Sequence, residues 1–186
     1  AGGVCALNPE PMSDFIDAFL LGDAEDLLPD FIKKFRYLRD KGLPRKDILL
    51  ELARIEGVYV PSLYENGNES AGCVPLPGTE GIPNKIRSAK VKDLDKAFYP
   101  VRQIVPHIRI VHDRIAVEVM RGCPNRCRFC QAGAVNRPVR VRSEKKIMEI
   151  CHESYKFTGM ENIALLSLSS VNYPYLVPVA KAINRD

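Results

Sequence analysis

Three cysteines lie within eight consecutive residues, at positions 123, 127 and 130 of the 186-residue chain. A loop this short can bring three sulfur atoms to one point, where thiolates bind metals or pair in disulfides. A disulfide uses two cysteines, and a closed structural zinc site uses four protein ligands. Three thiolates suit a four-iron four-sulfur (4Fe-4S) cluster whose fourth iron stays open to a substrate or cofactor. Cys123, Cys127 and Cys130 are therefore the predicted metal ligands.

Zinc and a disulfide are the alternatives for these cysteines. Cys151 or His112 could complete a zinc site, but structural zinc sites commonly contain two C-x2-C pairs and this loop contains one. A disulfide requires an oxidising compartment, and no secretion signal is recognisable in the sequence. The remaining cysteines, Cys5, Cys73 and Cys151, share no spacing with the trio, so we expect them to be buried small hydrophobic residues.

The pattern C-x3-C-x2-C, with Phe129 directly before the last cysteine, resembles the signature of the radical S-adenosylmethionine (radical SAM) enzymes. The resemblance implies a 4Fe-4S cluster whose open iron chelates S-adenosyl-L-methionine and reductively cleaves it to a 5′-deoxyadenosyl radical. It also implies that Phe129 packs beside the adenine of that cofactor, and that a reductant such as flavodoxin or ferredoxin supplies the electron. The substrate of the radical is not implied.

A wider resemblance extends over nearly all of the chain. Residues 112–123 and 137–140 are similar to uncharacterised radical SAM proteins with an N-terminal cobalamin-binding-like domain, and residues 2–3, 8–11 and 17–23 look like the closing part of that domain. The implied fold class is α/β. Residues 1–60 would be the C-terminal part of a Rossmann-like cobalamin-binding-like domain, 61–107 a linker, and 108–186 the first strands of a radical SAM partial (β/α) barrel. The chain would then be a fragment. Cobalamin itself rests on the pair Gly2 and Gly3 alone, which a tight turn explains equally well.

Hydrophobic periodicity and the positions of glycine, proline and helix-capping residues predict the local structure. A short strand is expected at 17–21, with helices at 24–41, capped by Asp23, and at 44–55. Dense prolines and glycines over 61–106 favour an irregular connector. Beyond it we expect a strand at 108–120, a helix from the N-cap Ser143 to Gly159, and a strand at 162–167. A connection of this kind between two strands is typical of a parallel βαβ unit.

Ser167 and Ser169 follow the second of these parallel strands, as the cysteine loop follows the first. Active sites of parallel barrels lie at the C-terminal ends of their strands. Radical SAM enzymes usually carry there a Gly-Gly-Glu-like stretch that holds the cofactor's amino group, and here Ser167-Leu168-Ser169 stands in its place. The resemblance thus implies cofactor contacts through Ser167 and Ser169. The alternative is that these serines cap the following helix.

Charge is concentrated around the cysteine loop, where residues 121–146 contain eight basic side chains and Glu144 as the one acid. Cations beside an anionic cluster would stabilise it, and we expect Arg121, Arg126 and Arg128 to do so. A basic patch also suits RNA, so the alternative function is a non-catalytic zinc- or iron-sulfur-stapled RNA-binding module. No apolar stretch is long enough to span a membrane, and a cytoplasmic location is expected.

Overall fold

The computed structural model describes residues 1–66, 73–108 and 110–185. The chain divides into two compact units, Ala1–Val91 and Lys92–Asp186. The first unit contains β1 (Phe19–Leu20), α1 (Ala24–Asp40), α2 (Arg45–Ala53), β2 (Val58–Tyr59), β3 (Tyr64–Asn66) and β4 (Cys73–Pro75). The second contains β5 (Ile115–Glu118), β6 (Met120–Arg121), α3 (Gln131–Val135), β7 (Arg140–Val141), α4 (Glu144–Thr158), β8 (Ile163–Leu166) and α5 (Leu176–Ile183).

The described strands form four two-stranded sheets. Three of them are antiparallel, β1 with β2, β3 with β4 and β6 with β7, whereas β5 and β8 are parallel. The predicted α/β class is therefore confirmed, while the Rossmann-like and barrel assignments stay predictions. None of the helices in the described ranges combines the length and the apolar character needed to cross a membrane.

In the first unit, α1 and α2 match the predicted helices to within a few residues. Helix α1 buries Leu27 and Leu38, which lie on one face at helical spacing. Asp23 occupies the predicted N-cap position of this helix. Its side chain makes no capping hydrogen bond to α1, and its Oδ2 atom accepts the backbone N–H of Val91 at 2.8 Å.

Several described residues of the segment predicted as a linker, residues 61–107, pack into the core of the first unit. The boundary between the two units falls inside it, at Val91. Leu63, Tyr64 and Ile82 are buried in the core of the first unit, and the Tyr64 hydroxyl donates a hydrogen bond to the Pro83 carbonyl at 2.9 Å. Apolar side chains between the prolines anchor this segment. Gly67 and Gly72, two of the glycines that suggested a connector, lie outside the described residues.

The core of the second unit is formed by one face of β5 and by helix α4. Ile115 and Val117 of β5 pack against Ile147 and Ile150 of α4, and all four are almost fully buried. Helix α4 has the predicted ends, because the Ser143 Oγ atom accepts the N–H of Lys146 at 3.2 Å and Gly159 ends the helix with a left-handed φ of 67°. The first predicted strand, at 108–120, is shorter than expected, since the described strands in this region are Ile115–Glu118 and Met120–Arg121.

Candidate metal and cofactor site

The parallel strands β5 and β8 bring two loops to the same edge of their sheet. The register pairs Ile115 with Ile163 at one end and Glu118 with Leu166 at the other. The cysteine loop follows β5 after the short strand β6, and the serine loop, residues 167–172, follows β8 directly. This is the arrangement that the sequence predicted.

Strands β6 and β7 close the cysteine loop, which we define as residues 122–139. Met120 pairs with Val141 and Arg121 with Arg140. The loop begins at Gly122, whose φ of 90° lies in the region that favours glycine. A Cβ atom here would lie 2.6 Å from the Asn136 carbonyl oxygen. Both facts require glycine at the start of the loop.

The three predicted ligands carry free thiols. Cys127 is exposed, whereas Cys123 and Cys130 are half-buried. Cys130 is the N-cap of α3, and its Sγ atom accepts the N–H of Gly133 at 3.3 Å. Within residues 1–66, 73–108 and 110–185, no three Cys, His, Asp or Glu side chains are grouped so that they could hold a metal ion. The assignment of the three ligands therefore stays a prediction.

The chemistry of the donors nevertheless fits an iron–sulfur cluster. Three unpaired thiols in a single short loop, two of them half-buried and one exposed, are the soft ligands that such clusters use. The backbones of two of the three are hydrogen-bonded to each other, because the N–H of Cys130 donates to the carbonyl of Cys127 at 3.1 Å.

The other cysteines differ in their surroundings. Cys151 is buried in the core of the second unit, as predicted, and burial raises the pKa of its thiol to about 11. A thiol that stays protonated among apolar side chains is a poor zinc ligand. Cys5 was predicted to be buried but is exposed, because Ala6 is the residue of its short 3-10 turn that is buried. The side chain of Cys73 lies outside the described part of the structure.

Phe129 is 92% exposed although it is a large apolar residue. Arg126 and Arg128 on the same loop are exposed too, whereas Arg121 at the base of the loop is half-buried. An aromatic side chain presented in this way leaves its face open to a planar ligand. The predicted contact between Phe129 and adenine is compatible with this exposure and stays a prediction.

The serine loop is held by its own hydroxyl groups. The Oγ atoms of Ser167 and Ser170 lie 3.0 Å apart, and Ser167 Oγ also accepts the N–H of Ser169 at 3.2 Å. The 3-10 turn Ser170–Asn172 and helix α5 both begin without a side-chain capping bond. The alternative role of Ser167 and Ser169 as helix caps is therefore not seen, and their predicted cofactor contacts stay a prediction.

Two asparagines that the sequence analysis did not single out join the two loops. Asn172 Oδ1 accepts hydrogen bonds from Ser169 Oγ at 2.6 Å and from Asn125 Nδ2, in the cysteine loop, at 3.2 Å. Arg137 extends the link, because its Nη2 atom donates to the Asn125 carbonyl at 3.3 Å. We call the pair Asn125 and Asn172 the amide bridge. Neither residue lies at a recognisable spacing in the sequence, so no local signal could have found it.

The sequence also did not predict several buried polar groups in the second unit, near the end of the cysteine loop. Arg142 is 1% exposed and accepts at its own carbonyl a hydrogen bond from the Tyr173 hydroxyl, at 2.9 Å. Burial raises the pKa of Tyr173 to about 12, and its protonated hydroxyl is the donor in this bond. Burial also raises the pKa of Tyr99, whose hydroxyl donates to the Ala116 carbonyl on β5. The sequence feature that could have indicated these contacts is Glu118, a charged residue within an otherwise apolar strand.

Comparisons with known proteins agree with the motif. Residues 1–61 match the family model described as radical SAM proteins, N-terminal. Over 182 residues the chain is 26% identical to the uncharacterized protein MJ0966 of Methanocaldococcus jannaschii, which covers 95% of this chain. The chain spans 33% of the length of that relative. No solved structure matches the chain. The first 61 residues are thus similar to the N-terminal region of radical SAM proteins.

Proposed function

We propose that this chain is part of a radical SAM enzyme in which Cys123, Cys127 and Cys130 hold a 4Fe-4S cluster with one open iron. When bound, the cluster supplies the electron that cleaves S-adenosyl-L-methionine to a 5′-deoxyadenosyl radical. The residues of the chain bind and orient the cluster and the cofactor. The proposal leaves the substrate of the radical unassigned.

One observation carries the proposal. A loop with three free thiols and a loop with three serines follow neighbouring parallel strands, and the amide bridge links them. Ligand sites of parallel α/β sheets lie at the carboxyl ends of the strands, where two such loops meet. Thiolates on one loop and hydroxyl groups on the other are donors suited to a cluster and to the polar groups of a cofactor, respectively.

Each predicted cofactor contact has a physical role in this proposal. The exposed ring of Phe129 would pack against the adenine, which removes apolar surface of both from water. Ser167 and Ser169 would hydrogen-bond the amino acid part of S-adenosyl-L-methionine through their hydroxyl or backbone groups. The exposed Arg126 and Arg128 would attract the carboxylate and the anionic cluster.

The proposal extends to the rest of the chain. Residues 1–60 would be the end of a Rossmann-like cobalamin-binding-like domain, and residues 108–186 the first strands of a partial (β/α) barrel. Bound cobalamin is not part of the proposal, because Gly3 has a positive φ of 96° that accounts for a glycine without any ligand. A flavodoxin or ferredoxin would be the reductant, the location would be cytoplasmic, and RNA is a candidate partner of the exposed arginines.

The test is reconstitution of the chain with iron and sulfide in the absence of oxygen. After reduction we expect an electron paramagnetic resonance signal of a 4Fe-4S cluster that changes when S-adenosyl-L-methionine is added. Cys127→Ala should lose the cluster, whereas Cys5→Ala, which removes an exposed thiol from the first unit, should keep it. Zinc in place of iron, with no response to the cofactor, would overturn the proposal and support the stapled-module alternative.

A further inference from the structure

A cluster of three charged side chains lies at the base of the cysteine loop. Glu118 is the last residue of β5, and its carboxylate is bound by Arg121 in a bidentate pair, from Nε to Oε1 at 3.0 Å and from Nη2 to Oε2 at 2.8 Å. The Nη2 atom of Arg142 lies 3.5 Å from the same Oε2 atom. Charge-assisted bidentate contacts are among the strongest hydrogen bonds in proteins. We call these three residues the loop clamp.

Several groups of the second unit contact the guanidinium of Arg142. Its Nε atom donates to the backbone carbonyl of Glu118 at 2.9 Å, and its Nη1 atom donates to the carbonyl of Leu94. Its guanidinium lies 5.2 Å from the centre of the Tyr99 ring. A guanidinium that is 1% exposed needs an anionic partner, since an unpaired buried charge is strongly destabilising. The Glu118 carboxylate is that partner.

The clamp joins the two ends of the cysteine loop. Arg121 directly precedes the loop and Arg142 follows it by three residues, and both bind Glu118. The backbone pairing of β6 and β7 covers two residue pairs, and so short a strand pair is marginal by itself. The clamp therefore adds side-chain contacts that fix the distance and orientation between the two ends of the loop.

We propose that Glu118 is a positioning residue that holds the two ends of the cysteine loop through Arg121 and Arg142, so that only the middle of the loop rearranges when the cysteines bind the cluster. This inference rests on the proposed function. Ordering a loop costs conformational entropy, and a loop with fixed ends has less to lose on binding. Cys123 lies two residues after Arg121, so the clamp directly constrains the first ligand.

The first test uses the metal-free chain and needs no cluster. Glu118→Gln keeps the shape of the side chain but removes its charge, and Arg121→Gln leaves the pair of Glu118 and Arg142 in place. In both variants we expect amide hydrogen exchange over residues 122–139 to become about tenfold faster or more. The control is Glu149→Gln, which breaks an exposed pair with Lys146 on α4 and should leave these rates unchanged. Loop exchange at the wild-type rate in both clamp variants would overturn the inference.

The second test uses the reconstituted chain. We expect both variants to take up iron more slowly than the wild type, and to change the midpoint potential of the cluster in opposite directions. Glu118→Gln removes a negative charge and should raise the potential, whereas Arg121→Gln removes a positive charge and should lower it. These signs follow from the charges alone and report that both side chains lie near the cluster. The rate of iron uptake tests the positioning role, and wild-type uptake rates in both variants contradict it.

The two tests separate the inference from the proposed function. If the wild type takes up iron and the clamp variants behave like it in both tests, the inference is wrong and the proposed function stands. If the wild type takes up no iron, the proposed function fails, and so does the role of the clamp in cluster binding. If Glu118→Gln does not fold, Arg121→Gln decides, because Arg142 keeps its anionic partner in that variant.

Discussion

Removing the amide bridge should weaken the binding of S-adenosyl-L-methionine without preventing assembly of the cluster. The substitution is Asn172→Ala. It deletes the Oδ1 atom that accepts hydrogen bonds from Ser169 and from Asn125, and it leaves Cys123, Cys127 and Cys130 untouched. The serine loop would then no longer be tied to the cysteine loop.

The size of the effect follows from the two hydrogen bonds. An intramolecular hydrogen bond contributes about 0.5–1.5 kcal/mol, and both asparagines are exposed, which favours the lower half of that range. Two bonds thus contribute about 1–2 kcal/mol. If the ligand has to order the freed loop, its dissociation constant rises by about five- to thirtyfold, since 1.4 kcal/mol corresponds to a factor of ten.

The assay is a titration of the reduced, reconstituted chain with S-adenosyl-L-methionine, followed by the change in the electron paramagnetic resonance signal. Asn172→Asp is the matched control, because it keeps the Oδ1 acceptor and should lose much less affinity. Asn125→Ala removes one of the two bonds and should lie between the wild type and Asn172→Ala. Wild-type affinity in Asn172→Ala, with iron content unchanged, would refute the idea that the bridge prepares the site.

Three further predictions concern the second unit. Because burial raises the pKa of the Cys151 thiol to about 11, iodoacetamide at pH 8 should label the exposed Cys127 of the metal-free chain and spare Cys151; equal labelling contradicts the buried position. Gly122→Ala should lower the free energy of unfolding by about 1–3 kcal/mol, because alanine is strained at a φ of 90° and its Cβ atom would lie 2.6 Å from the Asn136 carbonyl oxygen. Denaturant unfolding measures this change, and an unchanged unfolding midpoint would contradict the prediction. Ile147→Ala should cost about 2–5 kcal/mol in the same measurement, because the side chain is fully buried, and a loss below that range would show that the core refills the space.

The sequence was most informative where a local rule determines the structure. Ser143 and Gly159 marked the ends of α4 because an N-cap hydroxyl and a left-handed glycine are short-range requirements. The parallel pairing of β5 with β8 followed from two apolar strands separated by a helix. Asp23 showed the limit of such rules, because a cap position is local but the choice of Val91 as its partner depends on a segment distant in sequence.

The candidate site was only partly predictable, for the same reason. The cysteine spacing and the serines are visible in sequence, but the contact between Asn125 and Asn172 joins residues that are 47 positions apart. Arg142 was counted as one of many basic residues around the loop, although its guanidinium is buried rather than solvated. Burial of a charge depends on the partners that the fold brings to it, and neither Glu118 nor Leu94 lies near Arg142 in the sequence.

Strand β5 links the stability of the second unit to its candidate site. Ile115 and Val117 are fully buried, and the intervening Ala116 and the terminal Glu118 are half-buried. The backbone of the intervening residues points away from β8, where the Ala116 carbonyl accepts the Tyr99 hydroxyl and the Glu118 carbonyl accepts Arg142. Side chains thus cover the outer edge of β5, which would otherwise be open to pairing with another strand.

Alternate residues of β5 therefore have two different functions. One set of residues packs the core against α4, and the other set ends at Glu118, which binds Arg121 and Arg142 beside the cysteine loop. A packed core permits little displacement of β5, so the Glu118 carboxylate is presented from a rigid element. Because Arg121 is bound to that carboxylate and lies two residues before Cys123, the first thiol of the loop lies close to a fixed point of the strand, whereas Cys127 lies farther along the loop and is exposed.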